Sequence, residues 1–180
     1  MSGQVPDLSA AVEGWRSWLV VVTDGEPRLR SVVRGDLWEP LTAMVATCTV
    51  GLSEAMPGHV PTHPMCQCGI HAARLRQEAE GHLAPPSRRR GIAAIGRVAL
   101  WGTVVEGDLG WRASFGYPVS LELVTWRRDT DVLADLGWVR RSLAEAYRVR
   151  VSIARAPAAR GQHVLLPGRS TGVARGVMPE

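Results

Sequence analysis

The chain contains no lysine and no asparagine. All 21 of its basic residues are therefore arginine, and the formal net charge of +4 against 17 carboxylates rests on one kind of cation. A cationic surplus attracts phosphate backbones. Avoidance of two residue types with A-rich codons, however, is the mark of a GC-rich genome, which raises arginine everywhere without selection for phosphate contacts. Phenylalanine is nearly missing as well, with one Phe and two Tyr against seven Trp. No run of eighteen apolar residues occurs, which excludes an obvious membrane-spanning helix. The first residues have neither the basic start nor the apolar stretch of a signal peptide, so a soluble, cytoplasmic protein is expected. Cysteine is scarce and odd in number: three residues cannot form a disulfide framework without a remainder, and in a reducing compartment they are better read as metal-binding thiolates.

What is present is concentrated. Cys48, His59, His63, Cys66, Cys68 and His71 gather all three cysteines and three of the five histidines into one segment punctuated by Pro57, Gly58, Pro61, Pro64 and Gly69. Zinc or iron held by thiolate and imidazole needs four such ligands within about 2.0–2.3 Å of the ion. The Cys66-x-Cys68 spacing sets two sulfurs on the same side of an extended backbone. Cys48 arrives from a strand end, and His59 stands far enough before Cys66 for the loop to fold back. The expected ligand set is Cys48, His59, Cys66 and Cys68, with His63 as the alternative imidazole. A closed Cys3His shell points to structural zinc. The same ligands suit an iron–sulfur cluster in a redox protein. A third reading is a Cys-dependent enzyme with Cys66 or Cys68 as nucleophile and His63 or His71 as base, although the nearest carboxylate on the N-terminal side is Glu54.

The remaining pattern is that of a β-rich domain. Residues 15–22 (WRSWLVVV) followed by Thr23-Asp24-Gly25-Glu26-Pro27 predict a hairpin returning through Arg28–Val33, and Ala43–Val50 predicts a third strand. Gly69–Gly81 reads as a short helix, with Ala72, Leu75 and Ala79 on one face. Residues 92–105 and 111–124, joined by Glu106–Gly110, form a second long hairpin in which Gly96 and Gly102 suggest bulges or close backbone approach. A helix capped near Asp129–Asp131 and running in one or two pieces to Arg148, with Gly137 the point of interruption, precedes a last strand that points Val149, Val151 and Ile153 inward. These elements predict an α+β fold: a twisted antiparallel sheet or small open β-barrel, one short helix after the metal loop and a C-terminal helical segment. The domain is expected over residues 14–155, between a flexible leader (1–13) and a disordered Arg/Gly/Pro tail (156–180).

The string Cys66-Gln67-Cys68-Gly69-Ile70-His71-Ala72, preceded by Cys48 and His59 and followed by Val98–Glu106, Gly110-Trp111-Arg112-Ala113 and Tyr117-Pro118, resembles a family of small uncharacterised bacterial proteins. Its members carry a Cys, a His, a Cys-x-Cys-Gly-Ile-Tyr-Ala segment and a Trp-Gly-x-Val-Val-Glu hairpin in that order. The resemblance implies the same ligand choice. It also implies that His71, standing where the family has Tyr, is not a required ligand. It brings no activity with it.

Outside the loop, Arg88-Arg89-Arg90 lies in a Pro- and Gly-flanked connector and, with Arg127-Arg128, forms the candidate nucleic-acid contact. The competing reading is a solubilising surface in an Arg-biased chain. Most of the tryptophans are expected in the core, Trp18 and Trp101 among them, with Trp38 and Trp111 the more exposed pair. No Gly-rich phosphate loop, paired-carboxylate site or Gly-x-Ser-x-Gly elbow stands out. The sequence therefore favours a non-enzymatic, metal-stapled binding module whose partner is nucleic acid or another protein.

Overall fold

A computed structural model describes residues 11–48, 59, 61–63, 66–83, 92–125 and 130–155. The strands and helices run β1 (Val12–Thr23), β2 (Glu26–Ser31), β3 (Leu37–Trp38), β4 (Met44–Val45), β5 (Ile70–Ala73), α1 (Arg76–Gly81), β6 (Ile92–Gly107), β7 (Gly110–Thr125), α2 (Thr130–Tyr147) and β8 (Arg150–Arg155). The eight strands form one twisted sheet that is not a closed barrel, in the order β3-β2-β1-β5-β7-β4, with β6 pairing both β1 and β7 and β8 joining β7. The α+β expectation holds.

The hairpin signals account for the framework. Asp24 and Gly25 adopt positive φ (52° and 77°) at the tip of β1–β2, and the pairing runs from Thr23↔Glu26 to Trp18↔Ser31. In the long β6–β7 hairpin the register shifts between Arg97 and Val98 and between Trp101 and Val104, next to the two glycines that suggested bulges. Gly96 is obligatory there: a Cβ on it would lie 1.8 Å from the Ser120 carbonyl oxygen.

Alternate residues go to opposite faces of the sheet. On one face Trp18, Leu29, Trp38, Val98, Leu100, Tyr117 and Leu123 meet Leu136, Val139, Leu143 and Tyr147 of α2. On the other, Ala79 and Leu83 of the α1 region cover Ala93, Ile95 and Val124, beside half-buried Trp15. Two tyrosines tie α2 to the sheet. The Tyr147 hydroxyl accepts from the Leu29 N–H at 3.1 Å and donates to the Trp38 carbonyl. The Tyr117 hydroxyl accepts from the Leu41 N–H at 3.0 Å and donates to the Tyr147 carbonyl at 2.9 Å.

Several expectations are corrected. The segment read as a helix over Gly69–Gly81 is half strand: Ile70–Ala73 pairs with Ala113–Gly110 of β7 and touches β1 at Trp15↔Ala73, and only Arg76–Gly81 is helical. β5 fits between β1 and β7 because Gly14 and Gly110 have no side chains: a Cβ on Gly14 would meet the Ala72 Cβ at 2.6 Å, and one on Gly110 would meet the Ala72 oxygen at 2.0 Å. The third strand shrinks to Met44–Val45, so Cys48 follows it in irregular chain. The C-terminal helix is one uninterrupted element ending at Tyr147, where Arg148 takes φ 53° and turns the chain into β8. β8 pairs with β7 in parallel, the one parallel contact among the described residues of a sheet expected to be antiparallel. Its Val151 is buried, but Ile153, expected inward, is 47% exposed. Trp38, expected near the surface, is 1% exposed because β3 pairs with Leu29 and the indole N–H donates to Ser31 Oγ at 2.9 Å. Trp18 is buried as expected, whereas Trp101 is half-buried and stacks on Phe115. The tail 156–180 and the first ten residues of the leader lie outside the described residues.

Candidate metal centre

The ligand loop is attached to the sheet at both of its described ends. Beyond β4, the Ala46 N–H donates to the Ser114 carbonyl of β7 at 2.8 Å. The Arg34 guanidinium donates to the Thr47 carbonyl at 2.7 Å, and this pair of anchors fixes the approach to Cys48. The segment around His59 is held through its neighbours: Ser114 Oγ donates to the Pro61 carbonyl and Thr62 Oγ1 to the Thr103 carbonyl, each at 3.1 Å. Arg112 ties the two halves of the loop together, its Nη1 donating to the His63 carbonyl at 3.2 Å and to the Cys68 carbonyl at 3.0 Å. The Cys66 N–H also donates to the His63 carbonyl, at 3.0 Å. Two residues after Cys68 the chain becomes β5.

These anchors bring the expected ligands together. One donor atom from each of Cys48, His59, Cys66 and Cys68 lies within 4.8 Å of the other three. Cys48 Sγ is 3.7 Å from Cys66 Sγ, and His59 Nε2 is 3.3 Å from Cys68 Sγ. In a tetrahedron with metal–sulfur and metal–nitrogen bonds of about 2.3 and 2.0–2.1 Å, neighbouring donors stand about 3.5–3.8 Å apart. The group thus has the chemistry and the spacing of a site for one metal ion. Burial pushes the Cys68 thiol upward, the nearby Cys66 and Cys48 thiols add to that, and the hydrogen bond with the His63 backbone opposes it. The Cys68 sulfur therefore resists ionisation unless a cation joins it, which is what metal coordination supplies.

His63 is not a member of this group, although its ring lies 5.3 Å from that of His59 between centroids. His71 is outside it as well: it sits on β5 with Nε2 2.9 Å from the Gln67 carbonyl oxygen. The group contains no carboxylate, and Glu54 lies outside the described residues. Arg88, Arg89, Arg90, Arg127 and Arg128 also lie outside them. The residues that sequence reasoning missed are the anchors: Arg112, Ser114, Thr62 and Arg34. Arg112 stands in the quoted Gly-Trp-Arg-Ala segment, but its role depends on β7 passing under the loop, which no local pattern reveals.

The chain matches no known protein family, no curated protein and no solved structure. Among the described residues, no helix is long and apolar enough to cross a membrane.

Proposed function

We propose that this protein is a non-enzymatic binding module in which Cys48, His59, Cys66 and Cys68 hold one structural zinc ion. The observation that carries the reading is the convergence of the four donor atoms within 4.8 Å. That compactness favours a single ion over a two-iron cluster, because ligands on different irons stand farther apart than the edge of one tetrahedron. Three sulfurs and one imidazole fill a four-coordinate zinc, leaving no open position for substrate, which favours a structural role over catalysis. The net positive charge supports nucleic acid as the partner, contacted through the arginine-rich segments 88–90 and 127–128; a protein partner is the alternative.

Anaerobic purification followed by metal analysis tests the centre. A colourless protein with one zinc per chain is expected. Brown colour with iron and sulfide supports the cluster instead. If no metal co-purifies and Cys66→Ser leaves the melting temperature unchanged, the metal reading is wrong. The nucleic-acid clause is tested separately by titration with DNA and RNA at low and raised salt: binding that weakens steeply with salt is expected, and none at low salt removes the clause.

A further inference from the structure

The four ligands of the proposed centre differ in access. Cys68 is 6% exposed, and its sulfur lies against the His59 ring. Cys48 and Cys66 are half-exposed, and their sulfurs are 3.7 Å apart. Cys68 is close to both of these sulfurs as well, so proximity alone does not choose a pair. Access and chain geometry do. Cys66 and Cys68 are separated by one residue, so a bridge between them closes a ring over only three residues, too small to hold the Cβ–S–S–Cβ torsion near a right angle without strain. Cys48 and Cys66 come from different segments, neither in a strand nor in a helix, so rotation about their side-chain bonds can bring the sulfurs to bonding distance.

We propose that Cys48 and Cys66 are an oxidation site: hydrogen peroxide converts them to a disulfide and thereby empties the metal centre. The proposal rests on the zinc reading above and adds a regulation of the same site. One of the two thiolate sulfurs attacks a peroxide oxygen. The O–O bond breaks, a sulfenic acid forms, and the departing hydroxide takes a proton and leaves as water. The second sulfur attacks the first, the S–S bond forms, the S–O bond breaks, and the hydroxide released there also leaves as water after protonation. The two sulfurs lose two electrons and the peroxide gains them. The ligand set is left with Cys68 and His59, two donors where the ion requires four. A dithiol reductant reverses the change by thiol–disulfide exchange, restoring the full set.

Exposure to solvent, and not sulfur chemistry, decides which pair reacts, since all three are thiolates when coordinated. Cys68, the one buried ligand, stays in place beside the sheet with Arg112 on its carbonyl, so the centre can be rebuilt on reduction.

The test uses the zinc-loaded full chain treated with one equivalent of hydrogen peroxide. Zinc release is followed with a chromogenic chelator, and the protein is then alkylated, digested and mapped by mass spectrometry. The expected result is loss of the one zinc, alkylatable thiols falling from the three cysteines of the chain to one, a mass lower by two hydrogens, and a peptide cross-link joining Cys48 to Cys66 with Cys68 alkylated. Treatment with a dithiol followed by added zinc restores the starting metal content. A cross-link through Cys68, a sulfinic acid on a single cysteine, or zinc loss with all thiols still alkylatable overturns the proposal while leaving the zinc reading intact. A protein isolated without metal removes both, and the metal analysis reveals that before any oxidant is added.

Discussion

Replacing Tyr147 by Phe removes one oxygen atom and tests how α2 is joined to the sheet. The hydroxyl accepts from the Leu29 N–H at 3.1 Å and donates to the Trp38 carbonyl, and the side chains of all three residues are at most 1% exposed. In Tyr147→Phe both backbone groups lose their partner in a dry environment, where each orphan costs about 1–3 kcal/mol. A loss of about 3 kcal/mol at neutral pH follows, or a fall in melting temperature of about 6–12 °C for a chain of this size. Burial also raises the Tyr147 phenol from 10 to about 12, with Glu39 and Tyr117 adding to the shift while the Leu29 hydrogen bond and Arg28 oppose it. A raised acid holds its proton more tightly folded than unfolded. Its contribution is therefore complete below pH 10 and is lost as pH climbs from 10 to about 12, by about 3 kcal/mol over that window. The phenylalanine variant has no such group. Urea unfolding of both proteins at pH 8, 10 and 11.5 should give a stability gap that is largest at pH 8 and smaller by about 2 kcal/mol at pH 11.5. Comparison at each pH cancels every other titration. A gap below about 0.5 kcal/mol at pH 8, or one that stays constant or widens with pH, refutes the reasoning.

Three further outcomes are expected. Gly96→Ala places a Cβ 1.8 Å from the Ser120 carbonyl oxygen, a backbone clash that side-chain motion cannot relieve, so its melting temperature should fall by the equivalent of about 3 kcal/mol or more, or the chain should fail to fold. Arg112→Gln loses the clamp on the His63 and Cys68 carbonyls, and chelator competition should show metal affinity reduced about 10–100-fold with the circular dichroism of the sheet unchanged. Glu122→Gln weakens a part-exposed ion pair with Arg76, and because solvent screens such pairs its denaturation midpoint should correspond to a loss of no more than about 1 kcal/mol.

The two hairpins and the ligand set were legible because their signals are local. Asp24-Gly25 demands a turn, Gly96 and Gly102 mark the irregular register of β6, and Cys66-x-Cys68 with a distant cysteine and histidine is a chemical pattern that needs no tertiary context. β5 was illegible because Ile-His-Ala-Ala carries little strand preference; it is extended only because β7 offers it four paired residues. Trp38 was misplaced for a similar reason. A tryptophan beside a proline bend reads as a surface residue until Ser31 and the ring of Trp18, 5.5 Å away edge-on, are seen to enclose it. Ile153 went the other way, since the alternation of β8 is regular and nothing local says that the strand has β7 on one side only among the described residues. Arg112 was in view as part of a motif, yet its work is done across forty-four residues of chain, at the Cys68 carbonyl.

The narrow fit of β5 has a mechanical consequence. Gly69 alone separates Cys68 from Ile70, and Ala72, two residues on, is wedged so closely between Gly14 and Gly110 that neither could carry a methyl group. Cys68 is therefore attached to a rigid key seated in the sheet, whereas Cys48 and Cys66 hang on chain without regular structure. Whatever the four donors grip, its grip is transmitted to β1 and β7 through three residues. Loosening it would be felt first where those strands close around Ala72, some distance from the sulfur that let go.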